Sequence, residues 1–326
     1  MAQIHGYVGT YASPEAPGTY RFRLDTQSGA LDAPELIYPQ TNTKYAAWSQ
    51  GLLATVTEKD GAAGVALLDT AGAVPVLLDT RLTEKTTACF LTWQDGALYS
   101  ANYHDGHVLI YTVEDGRLCL SRRLYIGQEA GCHQALFHDR WLLVPCLRRD
   151  QVLLFDREDD FRQAGVLEFP AGTGPRHGVF TKDHRRLYLV SETSNQLFTY
   201  RVEGLSFTLE DVQSVLPPDF SGKGDTAAIR LSGDERTLYI SLRGAGAIAV
   251  FRVGRERPAL LQHVSSQGKE PWDLLLVPGG KILLAANRKS HEIVSFALEA
   301  DGTIGSRLGA VTIPQCVGMA LETTDV

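Results

Sequence analysis

Charged and aromatic side chains recur at two fixed positions of a repeating pattern in this chain. The first position precedes a short apolar run and carries Lys44, Cys132-His133, Arg176-His177, Asp225, Trp272-Asp273 and Cys316. The second position follows the next apolar run and carries Glu58, Tyr103, Glu192, Arg243 and Arg288. Guanidinium groups donate forked hydrogen bonds to phosphates and carboxylates, while carboxylates and imidazoles exchange protons with water. One interpretation is a set of ion pairs that orient the repeats, but ion pairs between loops contribute little stability. The set therefore favours a cationic site for an anionic ligand.

The elements that must position these residues are short strands. Seven segments each contain an apolar run, a polar turn and a second apolar run, and the runs are rich in Val, Ile, Leu, Tyr and Phe. Aligned on the last strand residue before the turn, the segments form a column spaced 44 to 51 residues apart: Thr10, Thr57, Asn102, Cys146, Ser191, Leu242 and Asn287. A period of this length is typical of propeller blades or solenoid units.

The two ends of the chain distinguish a propeller from a solenoid. The first repeat begins directly with its hairpin, whereas the last apolar run, QCVGMALE, is followed by no hairpin. This C-terminal run can supply the innermost strand of the first blade, which closes the ring and leaves no open strand edge. The sequence predicts an all-β fold: one seven-bladed β-propeller domain over residues 1–326, with four-stranded antiparallel blades.

Composition excludes several classes of partner. The formal net charge is −7, and no polybasic run offers a surface for phosphate backbones. The N-terminus, MAQIHGYVGTY, has no signal-peptide pattern, and no stretch of 18 apolar residues occurs. We expect a cytoplasmic protein, monomeric or weakly dimeric, without a nucleic-acid or membrane partner. The five cysteines are scattered, with no C-x-x-C pair, and are interpreted as reduced packing residues.

Common catalytic motifs are absent from the sequence. It contains no G-x-S-x-G, no P-loop, no G-x-G-x-x-G after a strand and no H-E-x-x-H. His104 and His107 lie three residues apart, but they flank a hairpin turn, which makes them a weak metal-binding pair. We predict no metal and no organic cofactor.

The segment GTGPRHGVF, followed by RRLYLVSETSNQLFTYRV, resembles the lactonase family of seven-bladed propellers. The resemblance extends over the whole chain through YVGTY, LYSANYHDGHVLIY, SLRGAGAIAVF and LLAANRKSHEIVSF. The family includes bacterial 6-phosphogluconolactonases and fungal carboxymuconate lactonising enzymes. The chain departs from the family pattern at Cys132, Cys146 and Trp272.

The resemblance implies a site and a reaction. The family's proposed catalytic residues match His133 in GCHQALF, Arg176 in GPRHGVF, Glu192 in VSETSN and Arg243 in SLRGAG. It implies hydrolysis of 6-phosphogluconolactone in the pentose phosphate pathway, with His133 or Glu192 as the base and the arginines binding phosphate or the oxyanion. Further substrate-binding candidates are His177, Arg288, Tyr103, Asn102 and Trp272. The alternatives are a lactonising enzyme acting on a dicarboxylate such as carboxymuconate, and a propeller scaffold without catalytic activity.

Overall fold

The computed structural model describes residues 3–254 and 256–322 of the 326-residue chain. Strands in the first half are β1 Gln3–Thr10, β2 Thr19–Asp25, β3 Glu35–Tyr38, β4 Ala46–Ser49, β5 Leu52–Lys59, β6 Ala62–Asp69, β7 Val76–Glu84, β8 Phe90–Gln94, β9 Ala97–Asn102, β10 His107–Glu114, β11 Arg117–Tyr125, β12 Leu136–His138, β13 Trp141–Cys146 and β14 Gln151–Asp156. Strands in the second half are β15 Arg162–Glu168, β16 Pro175–Phe180, β17 Arg186–Ser191, β18 Gln196–Glu203, β19 Ser206–Ser214, β20 Thr226–Leu231, β21 Thr237–Leu242, β22 Ala247–Arg252, β23 Ala259–Ser265, β24 Pro271–Leu276, β25 Ile282–Asn287, β26 Glu292–Leu298, β27 Ile304–Thr312 and β28 Cys316–Leu321.

These strands form seven four-stranded antiparallel sheets, which we number as blades in chain order. Blade 1 has the strand order β28-β1-β2-β3, blade 2 is β4 to β7, and blade 7 is β24 to β27. β28 pairs with β1 in the register Gly6↔Leu321, Tyr7↔Ala320 and Val8↔Met319. The predicted seven-bladed propeller, and its closure by the two ends of the chain, are confirmed.

The hydrophobic core lies between neighbouring blades. Tyr188 of blade 5 and Ile229, Ile240 and Phe251 of blade 6 are buried in one such cluster. Full burial of a side chain of this size contributes about 1.5–3 kcal/mol, so stacking of the sheets provides much of the stability. The outermost strand β7 is mostly exposed, because no further strand covers it.

Two short 3-10 helices interrupt the hairpins of blades 4 and 7. They span Leu147–Arg149 and Arg288–Ser290, and each ends at a residue in the left-handed region, Asp150 (φ 52°) and His291 (φ 60°). Both helices lie where the second strand of the blade ends. We call this end of the ring the upper end. The lower end carries the turns between the innermost and second strands, such as 139–140 and 181–185.

Neither of these helices, nor any other helix in residues 3–254 and 256–322, is long and apolar enough to cross a membrane. All five cysteines are free, and Cys132, Cys146 and Cys316 are buried. The burial of these three is what packing residues require, whereas Cys89 and Cys119 are partly exposed.

Candidate active site

Irregularities in the innermost strands direct side chains at the first repeat position. The register between β16 and β17 shifts between Pro175 and His177, and the register between β24 and β25 shifts between Pro271 and Asp273. The residues at these two shifts are Arg176 and Trp272. A bulge leaves one residue out of the ladder and re-aims its side chain, so both residues can face the upper end of the channel.

The second repeat position is the residue that directly follows the second strand of a blade. Glu192 follows β17, Arg243 follows β21 and Arg288 follows β25. Because the blades are arranged around one axis, residues at the same position in different blades converge at the upper end of the ring.

A carboxylate held between two guanidinium groups is the centre of the site. Glu192 Oε2 accepts from Arg176 Nε at 2.9 Å and from Arg243 Nη2 at 2.9 Å. The side chains of Arg176 and Arg243 are 2% and 9% exposed, whereas Glu192 is 24% exposed. Both ion pairs use Oε2, so Oε1 carries neither of them. The carboxylate is fixed in position and still reaches solvent.

Two buried imidazoles extend this centre towards blade 4. Arg176 Nη1 donates to His177 Nδ1 at 3.1 Å, and His177 Nε2 donates to the His133 carbonyl at 3.2 Å. The His133 and His177 rings meet edge to face with centroids 5.0 Å apart. Burial, followed by the positive charge of Arg176, holds the pKa of both imidazoles well below their usual range. Both histidines are therefore neutral at neutral pH.

Cations and aromatic rings alternate on the other side of Arg243. The Arg243 guanidinium lies 4.3 Å from the Trp272 ring centroid, and Arg288 lies 4.7 Å from the same ring. Arg288 is also 5.0 Å from Tyr11, and Lys44 Nζ is 5.5 Å from Tyr11. Contacts of this kind hold cations in place without neutralising their charge.

The upper end gathers cationic side chains from several blades. Arg288 forms an ion pair with Glu270, while burial lowers the pKa of Lys44. Four cationic side chains gather there, namely Lys44, Arg176, Arg243 and Arg288. In a chain with a net charge of −7, this mouth is suited to an anionic ligand.

The loop that leads into β16 is held by the neighbouring blade. Asp150 of blade 4 accepts from the backbone N–H of Gly172 at 2.8 Å and of Gly174 at 2.7 Å. Gly174 has φ +65°, and a Cβ added there would lie 2.6 Å from Thr193 Oγ1. Only glycine fits this close approach without strain. Asp150 and Gly174 therefore fix the start of the strand that carries Arg176.

The structure brings together most of the predicted residues. His133, Arg176, His177, Glu192 and Arg243 form one connected group, and Trp272 and Arg288 continue it. Tyr103 lies at its edge, with its ring centroid 5.9 Å from that of His133.

Asn102 is not brought to this group. It is fully buried, and its amide nitrogen donates to Glu84 Oε1 at 2.9 Å and to the Thr86 carbonyl at 2.6 Å. Its amide oxygen accepts from the backbone N–H groups of His104 and Asp105. Through these hydrogen bonds Asn102 holds the loops beside β9, so its side chain is not free to bind a ligand.

Sequence reasoning did not single out Tyr11, Cys89 and Glu270 as part of the site. Tyr11 follows Thr10 and so occupies the second repeat position of blade 1, which is a signal that the column of aligned residues already contained. Cys89 precedes β8, and its Sγ donates to the Cys132 carbonyl at 3.2 Å. Burial raises the pKa of the Cys89 thiol to about 11, which keeps it neutral. Glu270 lies outside both repeat positions, so only the structure identifies it.

Comparison with known proteins agrees with this architecture. A profile of the family described as "Lactonase, 7-bladed beta-propeller" matches residues 5–320. The 6-phosphogluconolactonase of Bacillus subtilis (strain 168) is 28% identical over 97% of this chain and 98% of its own length. The 6-phosphogluconolactonase of Klebsiella pneumoniae (strain 342) is 31% identical over 67% of this chain and 68% of its own length.

Among solved structures, a protein from Lactobacillus plantarum superimposes with a TM-score of 0.91 at 27% identity, covering 98% of this chain and 100% of that protein. The profile match spans all seven blades and includes every residue of the connected group described above. The chain belongs to the lactonase family of seven-bladed β-propellers.

Proposed function

We propose that this protein is a 6-phosphogluconolactonase, which hydrolyses the ester of 6-phosphoglucono-1,5-lactone. The observation that carries the proposal is the Glu192 carboxylate held between Arg176 and Arg243, at a mouth that also carries Arg288 and Lys44. The names of the relatives from Bacillus subtilis and Klebsiella pneumoniae support the same substrate.

The reaction needs a base, a stabiliser for the oxyanion and a binding site for the phosphate. In the proposed mechanism a base takes a proton from water, and the water oxygen forms a bond to the lactone carbonyl carbon. The resulting tetrahedral oxyanion accepts hydrogen bonds from guanidinium N–H groups. Collapse then breaks the bond between this carbon and the ring oxygen, which leaves as a hydroxyl after receiving the proton.

We assign the role of base to Glu192 rather than to His133. Glu192 is partly exposed and its Oε1 takes part in neither ion pair. His133 Nδ1 is buried without a hydrogen-bond partner, and burial holds the pKa of this imidazole well below its usual range, which makes it a weaker base. His133 and His177 then act by holding Arg176 in place.

Arg176 and Arg243 are assigned to the oxyanion, because they flank the proposed base. Arg288 and Lys44 are assigned to the phosphate, because both lie beside the Tyr11 ring. A dicarboxylate would also be attracted to this mouth, so carboxymuconolactone is included as a competing substrate in the test.

The test is hydrolysis of freshly generated 6-phosphogluconolactone, coupled to 6-phosphogluconate dehydrogenase and corrected for the spontaneous reaction. We expect a rate well above background that falls at least tenfold in Arg243→Ala and is unchanged in Arg236→Ala, an exposed arginine at the lower end of the same blade. Glucono-1,5-lactone, which lacks the phosphate, should react with a higher KM. A background rate from the folded protein, or faster turnover of carboxymuconolactone, would contradict the proposal.

A further inference from the structure

A second cluster of potential ligands lies at the lower end of blades 4 and 5. It contains His138, the last residue of β12, Asp139 in the following turn, and His184 in the turn between β16 and β17. One side-chain nitrogen or oxygen from each residue lies within 4.8 Å of the other two. The cluster is separate from the site at the upper end, because the innermost strands run from one to the other.

His138 is in the state that a metal ligand requires. Its residue is 3% exposed, and its Nε2 lies 2.9 Å from the Gly204 carbonyl, so Nε2 carries the proton. Nδ1 then presents a lone pair, is buried and has no hydrogen-bond partner. It lies 3.9 Å from Asp139 Oδ2. Metal-binding histidines commonly donate from the other ring nitrogen to a backbone carbonyl, which fixes the tautomer and the ring.

The ring of His138 is also held by packing. It stacks on Phe180 with centroids 5.1 Å apart and meets His184 edge to face at 5.3 Å. His184 Nδ1 lies 2.9 Å from Asp139 Oδ1. A buried polar atom without a partner is uncommon in folded proteins and calls for an explanation.

We propose that His138, Asp139 and His184 bind one divalent transition-metal ion of the class represented by Zn²⁺. Two imidazole nitrogens and one carboxylate oxygen form a donor set that suits Zn²⁺ better than Mg²⁺, which prefers oxygen ligands. The side chains of Asp139 and His184 are 66% and 36% exposed, so water completes the coordination. An open cavity of about 750 Å³ beside the cluster gives the ion access from solvent.

This site differs from what the sequence predicts. The sequence suggests no metal, and the only histidine pair it points to is His104 with His107. In the structure His104 pairs with Glu129 and His107 with the buried Glu84. The three proposed ligands instead lie up to 46 residues apart, from His138 to His184, and meet because blades 4 and 5 are neighbours.

The bound ion would join the lower turns of two blades. An ion that binds the folded chain and not the unfolded chain stabilises the folded state in proportion to its occupancy. The role is structural, and it is independent of the activity proposed for the upper end.

The first test is a calorimetric titration of chelator-treated, full-length protein with Zn²⁺, with Mg²⁺ as the comparison ion. We expect one Zn²⁺ per chain, no comparable binding of Mg²⁺, and a Tm that rises with Zn²⁺ concentration. The exposed ligands provide variants that should fold, namely Asp139→Ala and His184→Gln. Each is expected to weaken Zn²⁺ binding at least about tenfold and to remove the rise in Tm.

The matched control is His104→Gln, an exposed histidine that also pairs with a carboxylate. It should bind Zn²⁺ as tightly as the unmodified chain. The proposal is overturned if the unmodified protein binds no Zn²⁺, if Asp139→Ala and His184→Gln bind it with unchanged affinity, or if His104→Gln weakens binding as much as they do.

Discussion

The two ends of blade 5 carry similar residue types in different electrostatic states. At the upper end, Arg176 is 1% exposed and contacts both Glu192 and His177. At the lower end, the neighbouring Asp139 is largely exposed and His184 is partly exposed, and the buried His138 Nδ1 beside them has no hydrogen-bond partner.

The two ends differ in which of their polar groups already have partners. At the upper end the buried Arg176 is already paired with Glu192, so the positions of both groups are set before any ligand arrives, as transition-state stabilisation requires. At the lower end Asp139 and His184 contact each other near the surface, and the buried His138 Nδ1 beside them keeps an unpartnered lone pair, which a metal ligand requires. Matched substitutions at the two ends of this blade, and in the turn beside it, test this difference.

The largest effect is expected for the proposed base. Glu192→Gln keeps the shape of the side chain and removes its basicity, so kcat for 6-phosphogluconolactone should fall about 10²–10⁴-fold. The measurement is the coupled lactonase assay, with folding checked by thermal unfolding. Asp139→Asn makes the equivalent change at the lower end and should leave kcat within twofold of the unmodified protein. A loss of no more than tenfold in Glu192→Gln would remove Glu192 from the mechanism.

The next effect concerns stability. Arg176→Met removes a buried cation and leaves Glu192 with Arg243 as its remaining guanidinium partner, which should lower the free energy of unfolding by about 3 kcal/mol. Arg185→Met removes an exposed arginine at the lower end of the same blade and should cost less than about 1 kcal/mol. Denaturant unfolding measures both values. Equal losses would mean that burial of the upper pair has no energetic consequence.

The pH dependence of stability separates the two ends further. Burial and Arg176 hold the pKa of His177 well below 6.5, its value in the unfolded chain. The unfolded state therefore binds a proton below about pH 6.5 that the folded state does not. The resulting stability is complete above this pH and is lost as the pH falls, by up to about 1.4 kcal/mol per pH unit.

His177→Gln should accordingly flatten the fall in unfolding free energy between pH 6.5 and 5, measured by denaturant titration. Arg185→Met, at the lower end of the blade, removes no imidazole and should keep the slope of the unmodified protein. An identical slope in His177→Gln would show that this imidazole is not held neutral in the folded state.

The smallest effect concerns two glycines with positive φ. Gly174 at the upper end has φ +65° and would place a Cβ 2.6 Å from Thr193 Oγ1, whereas Gly204 at the lower end has φ +60° and no atom within 4 Å of the added Cβ. In both alanine variants the left-handed backbone should lower the free energy of unfolding by about 1 kcal/mol. In Gly174→Ala the contact with Thr193 should lower the free energy of unfolding by about 1 kcal/mol more. Thermal unfolding should therefore give Gly174→Ala a lower Tm than Gly204→Ala.

The repeats predicted the fold because the same strand–turn–strand pattern occurs seven times in the sequence. The column of aligned residues from Thr10 to Asn287 locates the second strand of each blade. The unpaired run QCVGMALE predicts the closure of β28 on β1. The same phase placed Arg176, Glu192 and Arg243 at one end of the ring. These inferences depend only on local patterns and on the symmetry that the repeats impose.

The site was predicted less completely, because contacts between blades do not follow the repeat. Asn102 is a polar residue directly before the second repeat position of its blade, yet its amide donates to Glu84 and to the Thr86 carbonyl. Glu270 neutralises part of the charge of Arg288, although it lies outside both repeat positions. Neither relation has a signature in the sequence, since each depends on which loop packs against which strand.

The sequence by itself therefore determined the seven blades, the closed ring and the end at which the charged residues gather, because periodicity and strand chemistry are local properties of the chain. Only the tertiary structure decided which carboxylate is held between two arginines, and which histidines are left with a buried, unpartnered ring nitrogen. Those states depend on distances of a few ångströms and on burial between neighbouring blades, and no spacing along the chain specifies either of them.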